Sequence, residues 1–156
     1  MVSQAIVLDL LAKLRDYTEK LRPFQVKSEH EIAGDYAALW AVEHGLQMAA
    51  QCVLDICNHV VSDLSTEHPV NYRELILTAG RLGLMPEDFA QRFSHLAGFR
   101  NVLIHEYAKV DPSGVYRNLR EGLADFDRFA EYVRLFLERR PGQVHDQSSA
   151  CDRRSV

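Results

Sequence analysis

The sequence predicts an all-α protein, an antiparallel bundle of about five helices. Apolar residues recur at spacings of three and four along almost every segment, which is the period of an amphipathic helix. No segment alternates as a strand would, and proline or glycine marks the expected helix boundaries. The 156 residues, 47% hydrophobic and 26% charged, suffice for one core. We expect one helical domain over residues 1–140 and a disordered tail over 141–156, where polar and turn-forming residues replace the apolar pattern.

The first two helices are predicted from long apolar series. The first should end before Pro23, and its core stripe consists of Ile6, Leu10, Leu14, Tyr17 and Leu21. The second covers about residues 29–64, which is long for one globular helix, so we expect a bend near Gly34 or Gly45. Its apolar residues include Ile32, Tyr36, Leu39, Trp40, Leu46, Ala50, Val53, Leu54, Cys57 and Val61.

Three further helices follow. The third should run from residue 72 to 82 and stop at Gly83. The fourth begins near Pro86, which suits a first helical turn, and should continue to about residue 107. After a turn at the segment DPSG, the fifth helix should cover residues 115–139. Its apolar stripe is Leu119, Leu123, Phe126, Phe129, Val133 and Phe136.

Composition excludes several classes of protein. No apolar run reaches the roughly 18 residues of a membrane span, and the start lacks the features of a signal peptide, so we expect a cytoplasmic protein. The odd count of three cysteines argues against a disulfide framework, and Cys52 and Cys57 are expected in the core. The net charge of −4 does not suit bulk coating of nucleic acid. Residues 92–120, however, contain five basic and two acidic residues, which fits a localised phosphate contact.

The segment GFRNVLIHEY, residues 98–107, places four hydrogen-bonding side chains in an apolar run: Arg100, Asn101, His105 and Tyr107. On one straight helix Arg100 would lie on the core stripe, so its charge needs an anion, a polar cavity or another subunit. His105 would lie about 140° away on a polar face that could form a homodimer seam. Bringing the two together would require a distorted helix, long side chains or a site shared by two subunits.

This segment resembles the signature of the HEPN superfamily, in which an arginine and a polar residue precede a histidine. Tyr107, two residues after the histidine, is similar to the HepT branch, the toxins of HepT/MntA toxin–antitoxin systems. The segments EHGLQMAAQCVLDICNHVVSD, PVNYRELILTAGRLGLMPEDFAQRF and KVDPSGVYRNL also resemble that branch. The resemblance spans roughly residues 36–135. It implies a HEPN helical domain over residues 1–140, commonly a homodimer with the signature lining a cleft between subunits.

The resemblance further implies a metal-independent endoribonuclease that needs no cofactor. RNA supplies its own nucleophile, the 2′-OH, so the protein needs a proton-transfer group and a cation. His105 suits the first role and Arg100 the second, while Asn101 either orients His105 or caps the dimer seam. By the same resemblance the partner is a minimal (MNT-type) nucleotidyltransferase antitoxin that adds AMP to Tyr107. Packing of that tyrosine on the core stripe is the alternative.

A helical interaction module that binds a nucleotidyltransferase without cleaving RNA is the rival interpretation of the whole chain. For several other polar residues, the sequence does not decide between a position in the cleft and one on the solvated surface. They are Glu43, His44, Asp55, Asn58, His59, Arg117, Arg120 and Arg128.

Overall fold

The computed structural model describes residues 2–99 and 111–140, and within these ranges every regular element is helical. A 3-10 turn at Arg22–Val26 follows the helix that ends at Leu21. Residues 95–99 are helical again after the helix that ends at Phe93. The helices are α1 (Gln4–Leu21), α2 (Glu29–Ala33), α3 (Tyr36–Leu64), α4 (Tyr72–Arg81), α5 (Glu87–Phe93) and α6 (Pro112–Arg139). The predicted all-α class is confirmed. No helix in the described ranges combines the length and apolar content that crossing a bilayer requires.

Helices α1, α3 and α6 pack against one another and enclose most of the core, while α4 packs on α3 and carries α5. The stripe predicted for α6 is confirmed, since all six of its residues are buried. The stripe predicted for α1 is confirmed in part. Leu14 and Leu21 are buried and Leu10 and Tyr17 are half-buried. Ile6 is 50% exposed, however, and the neighbouring series that contains Val7 and Leu11 is buried. Both series have helical spacing, so the choice between them is made by packing against α3 and α6 and not by the period.

The predicted bend near Gly34 is a complete break between α2 and α3. Asp35 caps the new helix by accepting a hydrogen bond from the Ala38 amide at 3.1 Å. At Gly45 the helix continues, and the glycine serves packing, because an added Cβ would lie 2.6 Å from Leu21 Cδ2. Tyr36 and Trp40 belong to the apolar series of the predicted second helix but do not lie in the core. They are 67% and 58% exposed and pack on each other, with ring centroids 4.5 Å apart.

The end of α4 follows the prediction, since Gly83 has a φ of +86°, which favours glycine. Helix α5 then lies close to α4. A Cβ added at Gly80 would be 2.6 Å from Ala90 Cβ. The segment DPSG, predicted as a turn, instead starts α6, because Asp111 caps the helix by accepting from the Ser113 amide at 3.1 Å and Pro112 occupies its first turn.

Both described cysteines lie in the core, as predicted: Cys52 is 5% and Cys57 0% exposed. Burial is the main cause that raises the pKa of the Cys52 thiol to about 11. Burial also raises the pKa of the Cys57 thiol. Near neutral pH both groups are therefore protonated thiols that pack as small apolar side chains.

The Gly80 contact gives a test of the α4–α5 packing. Gly80→Ala should lower the free energy of unfolding by about 1–3 kcal/mol, because the added methyl group overlaps Ala90. Gly122→Ala is the matched control, since no atom of the described residues lies within 4 Å of a Cβ added there. It should leave stability unchanged or raise it by up to about 1 kcal/mol through helix propensity. Urea unfolding measures both, and equal losses would contradict the close approach of α4 and α5.

The thiol pKa values predict the pH dependence of alkylation in a Cys151→Ser variant. Because only a thiolate reacts, a raised pKa keeps Cys52 and Cys57 unreactive at pH 8. Reaction of Cys52 should set in as the pH approaches 11, and Cys57 should react only on unfolding. Mass spectrometry after timed labelling measures this order. Rapid labelling of either thiol in the folded protein at pH 8 would contradict their burial.

Candidate active site

The four residues predicted to form the site, Arg100, Asn101, His105 and Tyr107, lie outside the described residues. The structure describes the chain on both sides of them. Residues 95–99 lead into the signature, and Asp111 follows it at the cap of α6. The surroundings of these two ends therefore define the region in which the signature starts and finishes.

The helix predicted to run unbroken from residue 86 to 107 is wrong, because α5 ends at Phe93 and a turn follows at Ser94. The Ser94 hydroxyl donates to the Gln91 carbonyl oxygen at 2.7 Å. In a continuous helix that oxygen would accept from the amide of His95. A serine that bonds back to the preceding turn competes with the helix ladder and bends it. The placement of Arg100 on the core stripe that begins at Phe89 therefore starts from a wrong premise. The angle between Arg100 and His105 concerns residues outside the described ranges and stays a prediction.

Aromatic packing holds the end of α5 against α6. The Phe93 ring stacks on Phe129 at a centroid distance of 5.4 Å and meets Phe126 edge-on at 6.2 Å. One turn earlier, Phe89 contacts Tyr132 at 5.1 Å. All four phenylalanines are at most 5% exposed. Helix α6 thus determines where residues 95–99 lie.

A partly open cavity of about 90 Å³ lies between residues 95–99, α3, α5 and α6. We call it the Phe99 cavity. Its apolar lining comes from Leu46, Phe93, Leu96, Phe99 and Phe126. Its polar lining comes from Arg92, His95, Asn118 and Asp125, and Gly122 of α6 completes the wall. The chain runs directly from this cavity into the signature, since Phe99 precedes Arg100.

The polar groups of the Phe99 cavity form loose ion pairs at its edge. Arg92 lies 3.5 Å from Asp125 Oδ1, and Arg128 lies 3.9 Å from the same oxygen. Both distances exceed those of a strong charge-assisted hydrogen bond. The Arg92 guanidinium also lies over the Phe89 ring, 5.3 Å from its centroid. A partly exposed cation and a carboxylate thus stand beside an apolar floor.

A second cavity lies on the other side of the same segment. It is lined by Asn71, Tyr72 and Arg73 at the start of α4 and by Ser94, His95, Ala97 and Gly98. His95 borders both cavities and is exposed. Arg73, also exposed, supplies a further positive charge near the approach to the signature.

The remaining polar candidates divide between structural contacts and the surface. His59 accepts a hydrogen bond from the Ser3 amide at 3.0 Å and so holds the start of the chain. Asp55 accepts one from Gln51 at 2.8 Å, and Arg120 donates to the Gln25 carbonyl oxygen at 3.1 Å. Asn58 borders a separate surface pocket beside α4. Arg117 and His44 are exposed, and burial raises the pKa of the Glu43 carboxyl.

The sequence-based search did not single out Asn118, Gly122 or Asp125. They lie in α6, outside the signature segment, and the fold brings them beside Phe99. A glycine in the middle of a predicted helix was the one available signal, because it costs stability there without an evident reason.

The described helices, with a basic approach to the signature, define the class of an all-α protein. Residues 14–133 match the family described as ribonuclease HepT-like, and the chain belongs to that family. The match contains the whole signature and extends further toward the N-terminus than the resemblance read from the motifs. The prediction of a HEPN ribonuclease family is thereby confirmed.

Individual proteins support the same assignment. The chain is 22% identical over 136 residues to a tRNA nuclease HepT of Aphanizomenon flos-aquae, covering 87% of this chain and 92% of that protein. It is 21% identical over 100 residues to an mRNA nuclease HepT of Shewanella oneidensis, covering 64% and 75%. The fold is similar to that of a tri-AMPylated Shewanella oneidensis HEPN toxin in complex with an MNT antitoxin. The TM-score is 0.76 at 17% identity, over 85% of this chain and 99% of the other.

Proposed function

We propose that this protein is the toxin of a toxin–antitoxin pair and that it cleaves RNA without a metal ion. The observation that carries the proposal is the family match over residues 14–133, because Arg100 and His105 fall inside it. Relatives named as a tRNA nuclease and an mRNA nuclease support RNA as the substrate. The HEPN domain comprises residues 1–140, and the tail at 141–156 lies outside the described residues.

In the proposed reaction the 2′-oxygen of a ribose attacks the adjacent phosphorus while the bond from phosphorus to the 5′-oxygen breaks. The 2′-OH loses a proton and the leaving 5′-oxygen gains one, so the products are a 2′,3′-cyclic phosphate and a 5′-OH. His105 transfers a proton, and Arg100 stabilises the negative charge of the pentacoordinate transition state. Asn101 orients His105. No step requires a metal ion or a cofactor.

Regulation in this proposal depends on Tyr107. Its partner is an MNT-type nucleotidyltransferase that attaches AMP to the Tyr107 hydroxyl and releases pyrophosphate from ATP. The solved complex of a tri-AMPylated HEPN toxin with an MNT antitoxin, which shares this fold, supports the pairing. Each AMP adds a phosphate two residues from His105, where it would neutralise Arg100 and exclude RNA. We further propose a cytoplasmic homodimer in which two signatures line one cleft.

RNA cleavage by the purified full-length protein in EDTA tests the enzyme. Wild-type protein should yield fragments with cyclic phosphate and 5′-OH ends. Arg100→Ala and His105→Ala should each lower the rate at least about 100-fold, because each removes a group that acts in the transition state. His68→Ala and Arg139→Ala, which change exposed residues outside the site, are the matched controls.

Cleavage that survives both site substitutions at the wild-type rate would show that the activity comes from elsewhere. The absence of any cleavage by folded wild-type protein would favour the interaction module. Circular dichroism and the thermal midpoint of each variant separate a lost group from a lost fold.

The intact mass after incubation with the cognate nucleotidyltransferase and ATP tests the modification. Wild-type protein should gain mass in whole AMP units, and Tyr107→Phe should gain none because the acceptor hydroxyl is missing. Tyr116→Phe is the matched control, since the Tyr116 hydroxyl donates to the Lys27 carbonyl oxygen and lies in α6. A full mass gain on Tyr107→Phe would place the acceptor elsewhere.

A further inference from the structure

We propose that the Phe99 cavity is a nucleobase subsite, in which the protein holds the base of a nucleotide adjacent to the bond it cleaves. This inference rests on the proposed function, since it assigns part of the RNA substrate to a defined pocket. Its experimental test is chosen so that it can succeed or fail separately from RNA cleavage.

Gly122 lies in the wall of the Phe99 cavity. A glycine within a 28-residue helix destabilises the helix relative to alanine. At Gly45 and Gly80 close packing requires the missing side chain, because an added Cβ would lie 2.6 Å from a neighbouring carbon atom. At Gly122 no atom of the described residues lies within 4 Å of such a Cβ. Among the described residues, the glycine therefore leaves space in the wall of the cavity and does not serve close packing of helices.

Aromatic and aliphatic side chains form the apolar lining of the Phe99 cavity. Phe99 and Leu96 are half-buried and line the cavity, while Phe93 and Phe126, at 5% and 2% exposure, lie below them. A base is flat and stacks on aromatic rings, which is how proteins commonly hold unpaired nucleotides. An aromatic wall beside a glycine gap provides a slot of that shape.

Charged and amide side chains form the polar edge of the Phe99 cavity. The Asp125 carboxylate accepts hydrogen bonds from amino and imino groups, and Arg92 beside it donates to carbonyl oxygens. The Asn118 Nδ2 donates to the Gly114 carbonyl oxygen at 2.8 Å, so Asn118 offers its side-chain oxygen as a further acceptor. The edge of a base presents donors and acceptors side by side. The loose pair of Arg92 and Asp125, 3.5 Å apart, can separate to meet them.

The Phe99 cavity adjoins the proposed catalytic segment in the chain. Phe99 is bonded to Arg100, and consecutive Cα atoms are about 3.8 Å apart. A base held against Phe99 is thus next to the segment to which we assign the chemistry. The exposed side chains of Arg92 and His95 at the rim carry the donors that an adjoining phosphate needs.

Binding of single nucleotides tests the subsite without requiring cleavage. The full-length protein is titrated with each of the four nucleoside 5′-monophosphates and with ribose 5-phosphate, which has the sugar and phosphate but no base. Calorimetry or ligand-observed NMR gives the dissociation constants. Gly122→Leu fills the slot, and Asp125→Asn replaces an acceptor by an amide that also donates.

Each variant has a matched control on α6. Ala124→Leu adds the same side chain at an exposed position outside the cavity. Glu121→Gln removes the same charge one turn from Asp125 and also at the surface. Leucine is a good helix former, so Gly122→Leu should fold. If it does not, Asp125→Asn still decides, because the ion pairs of Asp125 with described residues are partly exposed.

We expect at least one nucleotide to bind more tightly than ribose 5-phosphate. Gly122→Leu and Asp125→Asn should weaken that binding at least about fivefold, and the two controls should not. In cleavage of a randomised RNA, Asp125→Asn should also change the base preference beside the cut. Equal binding of nucleotides and ribose 5-phosphate, or equal affinity in both variants and both controls, would overturn the subsite.

These measurements distinguish a failure of the nucleobase subsite from a failure of the proposed nuclease activity. Base-dependent binding by a protein that cuts no RNA would retain the subsite and reject the nuclease. Cleavage with unchanged nucleotide affinity and unchanged base preference in Gly122→Leu and Asp125→Asn would retain the nuclease and reject the subsite.

Discussion

The packing of Phe93 on Phe126 and Phe129 is the interaction on which the position of the signature depends. Helix α6 runs along the core through its buried stripe, and these rings attach the end of α5 to it. This packing therefore fixes the position from which the residues after Phe93 continue. Ser94 then turns it, and five residues of helix carry it to Phe99 at the border of the signature.

The same helix receives the chain after the signature. Asp111 caps α6, and Ser113 in its first turn is hydrogen-bonded to Glu29 of α2. Both ends of the signature segment are thus attached to elements of one rigid core. A segment fixed at both ends loses less conformational entropy on ordering its side chains around a substrate. The fold contributes to the site by positioning these ends.

The sequence predicts elements well where one physical cause dominates. The apolar stripe of α6 follows from the helical period of its apolar residues, and its burial confirms it. The end of α4 follows from the glycine at position 83, and the positive φ of Gly83 confirms it. Sequence-based prediction fails where two causes compete. In α1 two apolar series share the helical period, and at Ser94 a hydroxyl competes with a backbone amide for one carbonyl oxygen.

Prediction of the candidate site divides in the same way. The signature is local in the chain, so its residues and family can be read from a short segment. Asn118, Gly122 and Asp125 belong to the wall beside Phe99 only because α5 and α6 pack together. Tyr36 and Trp40 show the converse, since a helical period places them on the core stripe although α3 leaves that part of its surface open. Non-local packing is what a single sequence does not display.

Under the proposed function, the chemistry explains why so small a fold suffices. RNA brings its own nucleophile, so the protein must supply only proton transfer, a positive charge and a fixed orientation. The first two can be provided by Arg100 and His105, which are five residues apart, but orientation needs a surface wider than one segment. A cavity formed by α3, α5 and α6 supplies such a surface from side chains that the core already holds in place. Because the reacting groups and the orienting surface belong to different parts of the fold, the activity can be controlled through the reacting groups alone. An AMP on Tyr107 would act on the charge and the proton-transfer group at once, while the packed helices that orient the substrate stay unchanged, so the activity could be blocked without unfolding the protein.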